Sequence, residues 1–208
     1  VSNYVTSNVT VLQRLPTGGF HQGPSFSVGN PTGVVAADFN GDGLVDLAAS
    51  SEGGFETVAL RQAGGGFTVE SSYGTGGSQP RNVTTGDFNG DARPDLAVPN
   101  EASDTVTILV RNAQGTGFTI EGAPVTVGDR PVHVAAADFN RDGRTDVAVS
   151  NIGSGTVQVL SRNALNAGVD AGSPVAVPAS PLGLAVADFD GNGTPDLAVA
   201  SNAGGAVT

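Results

Sequence analysis

One pattern is written four times along this 208-residue chain, and a fourfold internal repeat rules out most folds at once. It is an acidic loop, D-x-[DN]-x-[DN]-[GA]-x-x-D, set between two short apolar runs. The first copy reads Asp38-Phe-Asn-Gly-Asp-Gly-Leu-Val-Asp46, and the loop returns from Asp87, Asp138 and Asp188 at spacings of 49, 51 and 50 residues. A proline stands seven residues ahead of each first Asp: Pro31, Pro80, Pro131 and Pro181. Further upstream lies a turn, Gly19-Phe20, Gly66-Phe67 and Gly117-Phe118, which decays to Gly168-Val169 in the last copy.

Each unit of about 50 residues holds four short extended segments. The first is a small-residue run before the loop, as in Val132-His-Val-Ala-Ala-Ala137. The second follows the loop, as in Asp146-Val-Ala-Val-Ser150, and the third alternates, as in Thr105-Val-Thr-Ile-Leu-Val110. The fourth lies between the Gly-Phe turn and the proline. Period-two alternation with Gly, Asn and Pro punctuation predicts strands throughout. An ordinary β-sandwich would not need four copies in register. The spacing therefore predicts an all-β fold, a β-propeller of four-stranded antiparallel blades, with about four blades over residues 1–208. Ala and Gly dominate both faces of the first segment, which suits an innermost strand where blades converge.

The two ends carry the same element. Val1-Ser-Asn3 with Asn8-Val-Thr-Val-Leu-Gln-Arg14 matches Val149-Ser-Asn151 with Thr156-Val-Gln-Val-Leu-Ser-Arg162. Ala198-Val-Ala-Ser-Asn202 through Ala206-Val-Thr208 enters that element again. The expectation is a window on a larger ring, with a closed four-blade ring as the alternative. Open blade edges would then invite self-association.

The loops are laid out for a hard cation. Side-chain oxygens at positions 1, 3, 5 and 9 and the carbonyl of position 7 can converge on one Ca²⁺, which takes about six to eight oxygens. The candidate ligands are Asp38, Asn40, Asp42, Leu44 and Asp46 in the first loop (38–46) and Asp87, Asn89, Asp91, Arg93 and Asp95 in the second (87–95). The third loop (138–146) offers Asp138, Asn140, Asp142, Arg144 and Asp146. The fourth (188–196) offers Asp188, Asp190, Asn192, Thr194 and Asp196. Position 6 must turn sharply and favours glycine; Gly43, Gly143 and Gly193 comply, while Ala92 predicts a weaker second site. An EF-hand would need Glu at position 12, where Ala49, Val98, Val149 and Val199 stand. Asp and Asn in a single turn often do no more than satisfy backbone groups. Four loops with the same five oxygen-bearing positions ask for more, and they gather 12 of the 20 acids of a chain whose net charge is −11. Four Ca²⁺ would cut that charge by 8, relieving three like charges in every loop.

The loop between its two strands, together with Gly65-Gly66-Phe67 and Thr116-Gly117-Phe118, resembles the FG-GAP/VCBS repeat family. That family builds the propeller head of integrin α subunits and occurs in secreted bacterial proteins and propeller lectins. The resemblance implies structural calcium on the hairpin between strands one and two, in rings that often have seven blades. It also implies a secreted or cell-surface, lectin-like or adhesive role. The family's full Phe-Gly…Gly-Ala-Pro pattern is not kept here.

Several function classes fall away. A pI of about 4.2 without a basic cluster argues against nucleic acid. No apolar run approaches the ~18 residues of a membrane span. The absence of Cys excludes thiol catalysis and disulfide or zinc scaffolds. No Gly-x-Ser-x-Gly elbow or P-loop appears. His133, at a place held by Gly33, Asn82 and Gly183 in the other copies, and His21 read as strand and surface residues. Asn8, Asn82 and Asn192 open glycosylation sequons. Arg81, Arg130, Tyr73 and Phe26 lie in variable turns, where a ligand site is expected. The expectation is a non-catalytic, calcium-stabilised propeller that binds a glycan or an extracellular protein. The alternative is the propeller part of a larger secreted enzyme, such as a polysaccharide-degrading one.

Overall fold

In the computed structural model, residues 1–165, 167–178 and 180–202 are described. They form five consecutive antiparallel sheets. The first holds β1 (Ser2–Asn3), β2 (Asn8–Arg14) and β3 (Phe20–Ser27). The second is a complete blade of β4 (Pro31–Ala37), β5 (Asp46–Ser51), β6 (Phe55–Arg61) and β7 (Phe67–Gly74). The third holds β8 (Thr84–Gly86), β9 (Asp95–Asn100), β10 (Thr105–Arg111), β11 (Phe118–Ile120) and β12 (Val125–Thr126). The fourth repeats this plan with β13 (Pro131–Ala137), β14 (Asp146–Asn151), β15 (Thr156–Arg162), β16 (Val169–Ala171) and β17 (Val175–Ala176). The fifth pairs β18 (Pro181–Ala187) with β19 (Asp196–Ser201).

This is a β-propeller. The small-residue strands β4, β8, β13 and β18 lie innermost and touch one another in sequence. The crowding explains their composition: a Cβ on Gly33 would come within 2.9 Å of the Arg81 carbonyl oxygen in the next sheet. The fourth segment is one strand in the second sheet but two short pieces in the third and fourth. In the third sheet, Gly122 at φ +64 and Pro124, which has no N–H to give, break it. Each repeat's proline also marks an irregular start, with register shifts at Pro31/Gly33, Pro131/His133 and Pro181/Gly183.

The residue before each proline, Asn30, Gln79, Arg130 and Ser180, has φ between +47 and +56. That left-handed turn aims its carbonyl at the hairpin between strands two and three, where it accepts the N–H of Glu52, Glu101, Ile152 or Asn202 at 2.9–3.1 Å. β1 pairs with β2 in the register that Ser150–Asn151 shows with Val157–Thr156, so the chain begins in a second strand as the match predicts. The expected third strand at Ala206–Thr208 lies outside the described residues.

The core consists of seams between sheets. Phe39 of the first loop enters a cluster with Val58, Val83, Leu96, Val98 and Leu109 across the second and third sheets. Phe88 does the same across the third and fourth with Val134, Val149 and Leu160. The matching Phe139 is half-buried and Phe189 is 59% exposed. In the second and third sheets, then, the loop phenylalanine is the plug that the blade inserts into the next.

Candidate metal loops

The four acidic loops share one backbone. Position 6 is left-handed in all of them: Gly43, Ala92, Gly143 and Gly193 have φ of +84, +62, +82 and +78. Ala92 thus takes the conformation the sequence predicts for it, with a Cβ where glycine has none. Position 4 is left-handed too, at Gly41, Gly90, Arg141 and Gly191. Sequence reasoning passed over that second requirement, although glycine at three of the four positions was its signal.

The carboxylate at position 1 organises the turn. Asp38 accepts Gly41 N and Gly43 N at 2.8 Å and Asp42 N at 3.2 Å. Asp87 and Asp188 repeat this set. Asp138 receives Asp142 N and Gly143 N at 3.0 and 2.8 Å. Position 3 accepts the N–H of position 5, and position 5 that of position 7, as when Leu44 N donates to Asp42 Oδ1 at 2.8 Å. The oxygens at positions 1, 3 and 5 are therefore gathered over one turn by its own amides.

Position 9 has a second task. Asp46 is fully buried and accepts Phe39 N at 2.9 Å and, from the third strand, Arg61 N at 2.7 Å. Asp95 receives Phe88 N and Arg111 N, and Asp146 receives Phe139 N and Arg162 N. These carboxylates latch the loop to β6, β10 and β15. Burial pushes all three up, Asp95 to about 6, against the pull of those amides. A carboxylate has about four lone-pair sites, so two amides leave room for a cation.

The loops differ in how their charge is met. In the fourth, carboxylate oxygens of Asp188, Asp190 and Asp196 lie within 4.8 Å of one another, the one such acidic group among the described residues. In the second and third, the guanidinium at position 7 turns back on the acid at position 5, Arg93 on Asp91 and Arg144 on Asp142. In the first, Asn40 donates to Asp42 Oδ2 at 2.9 Å. A cavity of about 500 Å³ lies between the first two loops, lined by Asp38, Asn40, Arg93 and Gln114 among others.

Arg81, Arg130, Tyr73 and Phe26 all have partners within the scaffold. Arg81 and Arg130 both clamp Glu101, a buried acid at the start of a short 3-10 turn. Burial pushes the Glu101 carboxyl up, but the two guanidinium groups outweigh it and hold it below its usual range. Tyr73 donates to Glu70 at 3.1 Å, and Phe26 is buried. His133 is half-buried on β13, its ring pushed by burial toward the neutral form, and His21 is exposed on β3.

The repeated blades and acidic hairpins define the class, a β-propeller of internal repeats. Two stretches are of the FG-GAP type: residues 38–98 match the family described as FG-GAP-like repeat, and residues 131–160 match FG-GAP repeat. No curated protein matches the chain. Among solved structures it is similar to a candidate 6-phosphogluconolactonase from Bacteroides uniformis ATCC 8492, at 15% identity and a TM-score of 0.65 over 95% of this chain and 61% of that one. BBS1N in complex with ARL6DN is similar at 15% identity and 0.65, over 97% of this chain and 57% of that one. A Lactobacillus plantarum protein follows at 16% and 0.63, over 100% and 65%. At these identities the likeness is one of fold, and the chain spans about three-fifths of the length of these structures.

Proposed function

We propose that this chain is a non-catalytic propeller module, stabilised by Ca²⁺ in its acidic loops, that works outside the cell by binding a glycan or a protein. The observation that carries the metal reading is the convergence of Asp188, Asp190 and Asp196 on a loop that offers only oxygen donors. Such a donor set suits a hard cation and gives zinc or copper no nitrogen or sulfur. In the first loop Asp38, Asn40, Asp42 and Asp46 offer the same chemistry. In the second and third, Arg93 and Arg144 would have to release Asp91 and Asp142. The ion supplies charge neutralisation and a fixed loop shape, while the protein's own residues set where the loop phenylalanine enters the next blade.

The acids outside the loops that recur, Glu70 and Glu121, are each taken up by a buried arginine, Arg111 and Arg162, which supports a module without a carboxylate pair set for hydrolysis. Extracellular calcium sites of moderate affinity fill at about millimolar concentrations, which fits a secreted or cell-surface setting.

Metal analysis after dialysis against trace Ca²⁺ tests the reading, together with melting in excess chelator. The expected result is bound Ca²⁺ and a melting temperature that falls by many degrees on chelation. Each site filled at a hundredfold excess over Kd contributes about 2.7 kcal/mol. No bound Ca²⁺ and an unchanged melt would sink it. A glycan and matrix-protein array without turnover supports the module, whereas hydrolysis of a glycan by this chain points to an enzyme.

A further inference from the structure

The seam between the second and third sheets copies the seam between the third and fourth, with one exception. Phe39, Val83 and Val98 stand where Phe88, Val134 and Val149 stand. Val106 belongs to the later seam, and the corresponding residue in the earlier one is Glu56. The register is unambiguous. Each is the second residue of its third strand, opposite Ser50 for Glu56, Pro99 for Val106 and Ser150 for Val157. Val9 holds the same place in the first sheet. A carboxyl group therefore occupies a position that the other three copies give to valine.

Glu56 is fully buried, and neither carboxylate oxygen meets a hydrogen-bond partner. The groups facing it are uncharged. Ser50 on β5 directs its hydroxyl to the Asn82 carbonyl at 3.2 Å, and Tyr73 on β7 gives its hydroxyl to Glu70. Two residues further along β6, Val58 packs in the apolar seam with Val83 and Val98 of the third repeat. Along β6 the next ionisable side chain is Arg61, stacked over the Phe67 ring at 5.2 Å. A buried ionised carboxylate without a partner is among the costliest groups a core can hold, and it is relieved by taking a proton.

We propose that Glu56 makes this seam an alkali-sensitive joint: seated as the neutral acid it lets the two blades close, and on ionising it loosens them. Burial pushes its carboxyl from 4.5 up to about 8. Between those two values the folded state holds a proton that the unfolded chain releases, so this residue's effect is a stability that falls as pH rises and levels off above the upper value. The other three third strands, with valine, have no such dependence at this position.

Paired melts and urea titrations of the parent, Glu56→Val and Glu56→Gln between about pH 5 and pH 9 test this. Differences between proteins cancel the titration of the shared loop acids. The expected result is that Glu56→Val gains on the parent as pH rises, by roughly tenfold or more in the unfolding equilibrium, and that Glu56→Gln follows the same pH course. A smaller widening, or parallel profiles, overturns the proposal. Carbon NMR of the Glu56 carboxyl supplies a readout independent of stability. A midpoint well above the ordinary glutamate range supports the joint, and one within that range overturns it.

Discussion

The loops at 87–95 and 188–196 share a motif and a backbone but not an environment. In the earlier loop Phe88 and Asp95 are fully buried, the phenylalanine in the next sheet and the acid between two backbone amides. In the later one Phe189 is exposed, and Asp196, half-buried, accepts one such bond among the described residues, from Phe189 N. The acids follow the same division. Arg93 compensates Asp91 in the earlier loop, while three carboxylates converge in the later one. A repeated motif thus does two jobs, and the neighbouring sheet decides how much of each is visible. Where the next sheet covers the loop, positions 2 and 9 hold the fold; where the loop is open, three carboxylates converge beside an exposed phenylalanine.

The largest expected effect breaks the comparison at position 2. Phe88→Ala should cost about 3–5 kcal/mol, the usual loss for a buried aromatic. Phe189→Ala should stay within about 0.5 kcal/mol, as exposed substitutions do. Urea denaturation of both variants reads this directly, and equal losses would mean that the last phenylalanine is covered in solution. Next comes the latch. Asp95→Ala strands two buried N–H groups and should cost about 2–3 kcal/mol, with Asp196→Ala costing visibly less.

A smaller effect concerns charge. Arg93→Gln frees Asp91 and should tighten Ca²⁺ at the second loop by about two- to fivefold, the scale of a partly exposed ion pair. Calorimetric titration showing unchanged affinity would mean that the arginine does not compete. Least of all, Ala92→Gly should raise stability by about 0.5–1 kcal/mol. The left-handed strain relieved slightly exceeds the chain entropy that glycine adds to the unfolded state. A loss on that substitution would show that the turn holds alanine without strain.

Much of this was legible because the repeat reports strand order, loop position and the small inner strand in four parallel readings. The turn at Ala92 could be named from its three glycine counterparts. What stayed hidden depends on the neighbouring blade. That Asp46, Asp95 and Asp146 latch a third strand follows from a register that the linear pattern does not contain. Arg81 and Arg130 looked available because nothing in the chain announces that both meet at Glu101. The left-handed residues ahead of each proline carry Asn, Gln, Arg and Ser, so no single residue type flags them.

One contact between blades has a bearing on how such arrays can grow. Arg111, buried at the end of β10, donates a forked pair of bonds to Glu70 of the preceding sheet, at 2.7 and 2.8 Å, and Arg162 donates likewise to Glu121. Arg61 finds no acid at the equivalent place, where Gly23 stands; it lies over Phe67 as Arg111 lies over Phe118, but stays half-exposed. Two of the repeats thus carry an arginine whose acid belongs to the predecessor. Such a repeat, copied or shuffled behind a neighbour without that glutamate, would bury a guanidinium stripped of its acid, at about 3–5 kcal/mol. For these repeats duplication is cheap only in tandem and in order, so the array has a grammar, in which such a unit dictates what is allowed to precede it.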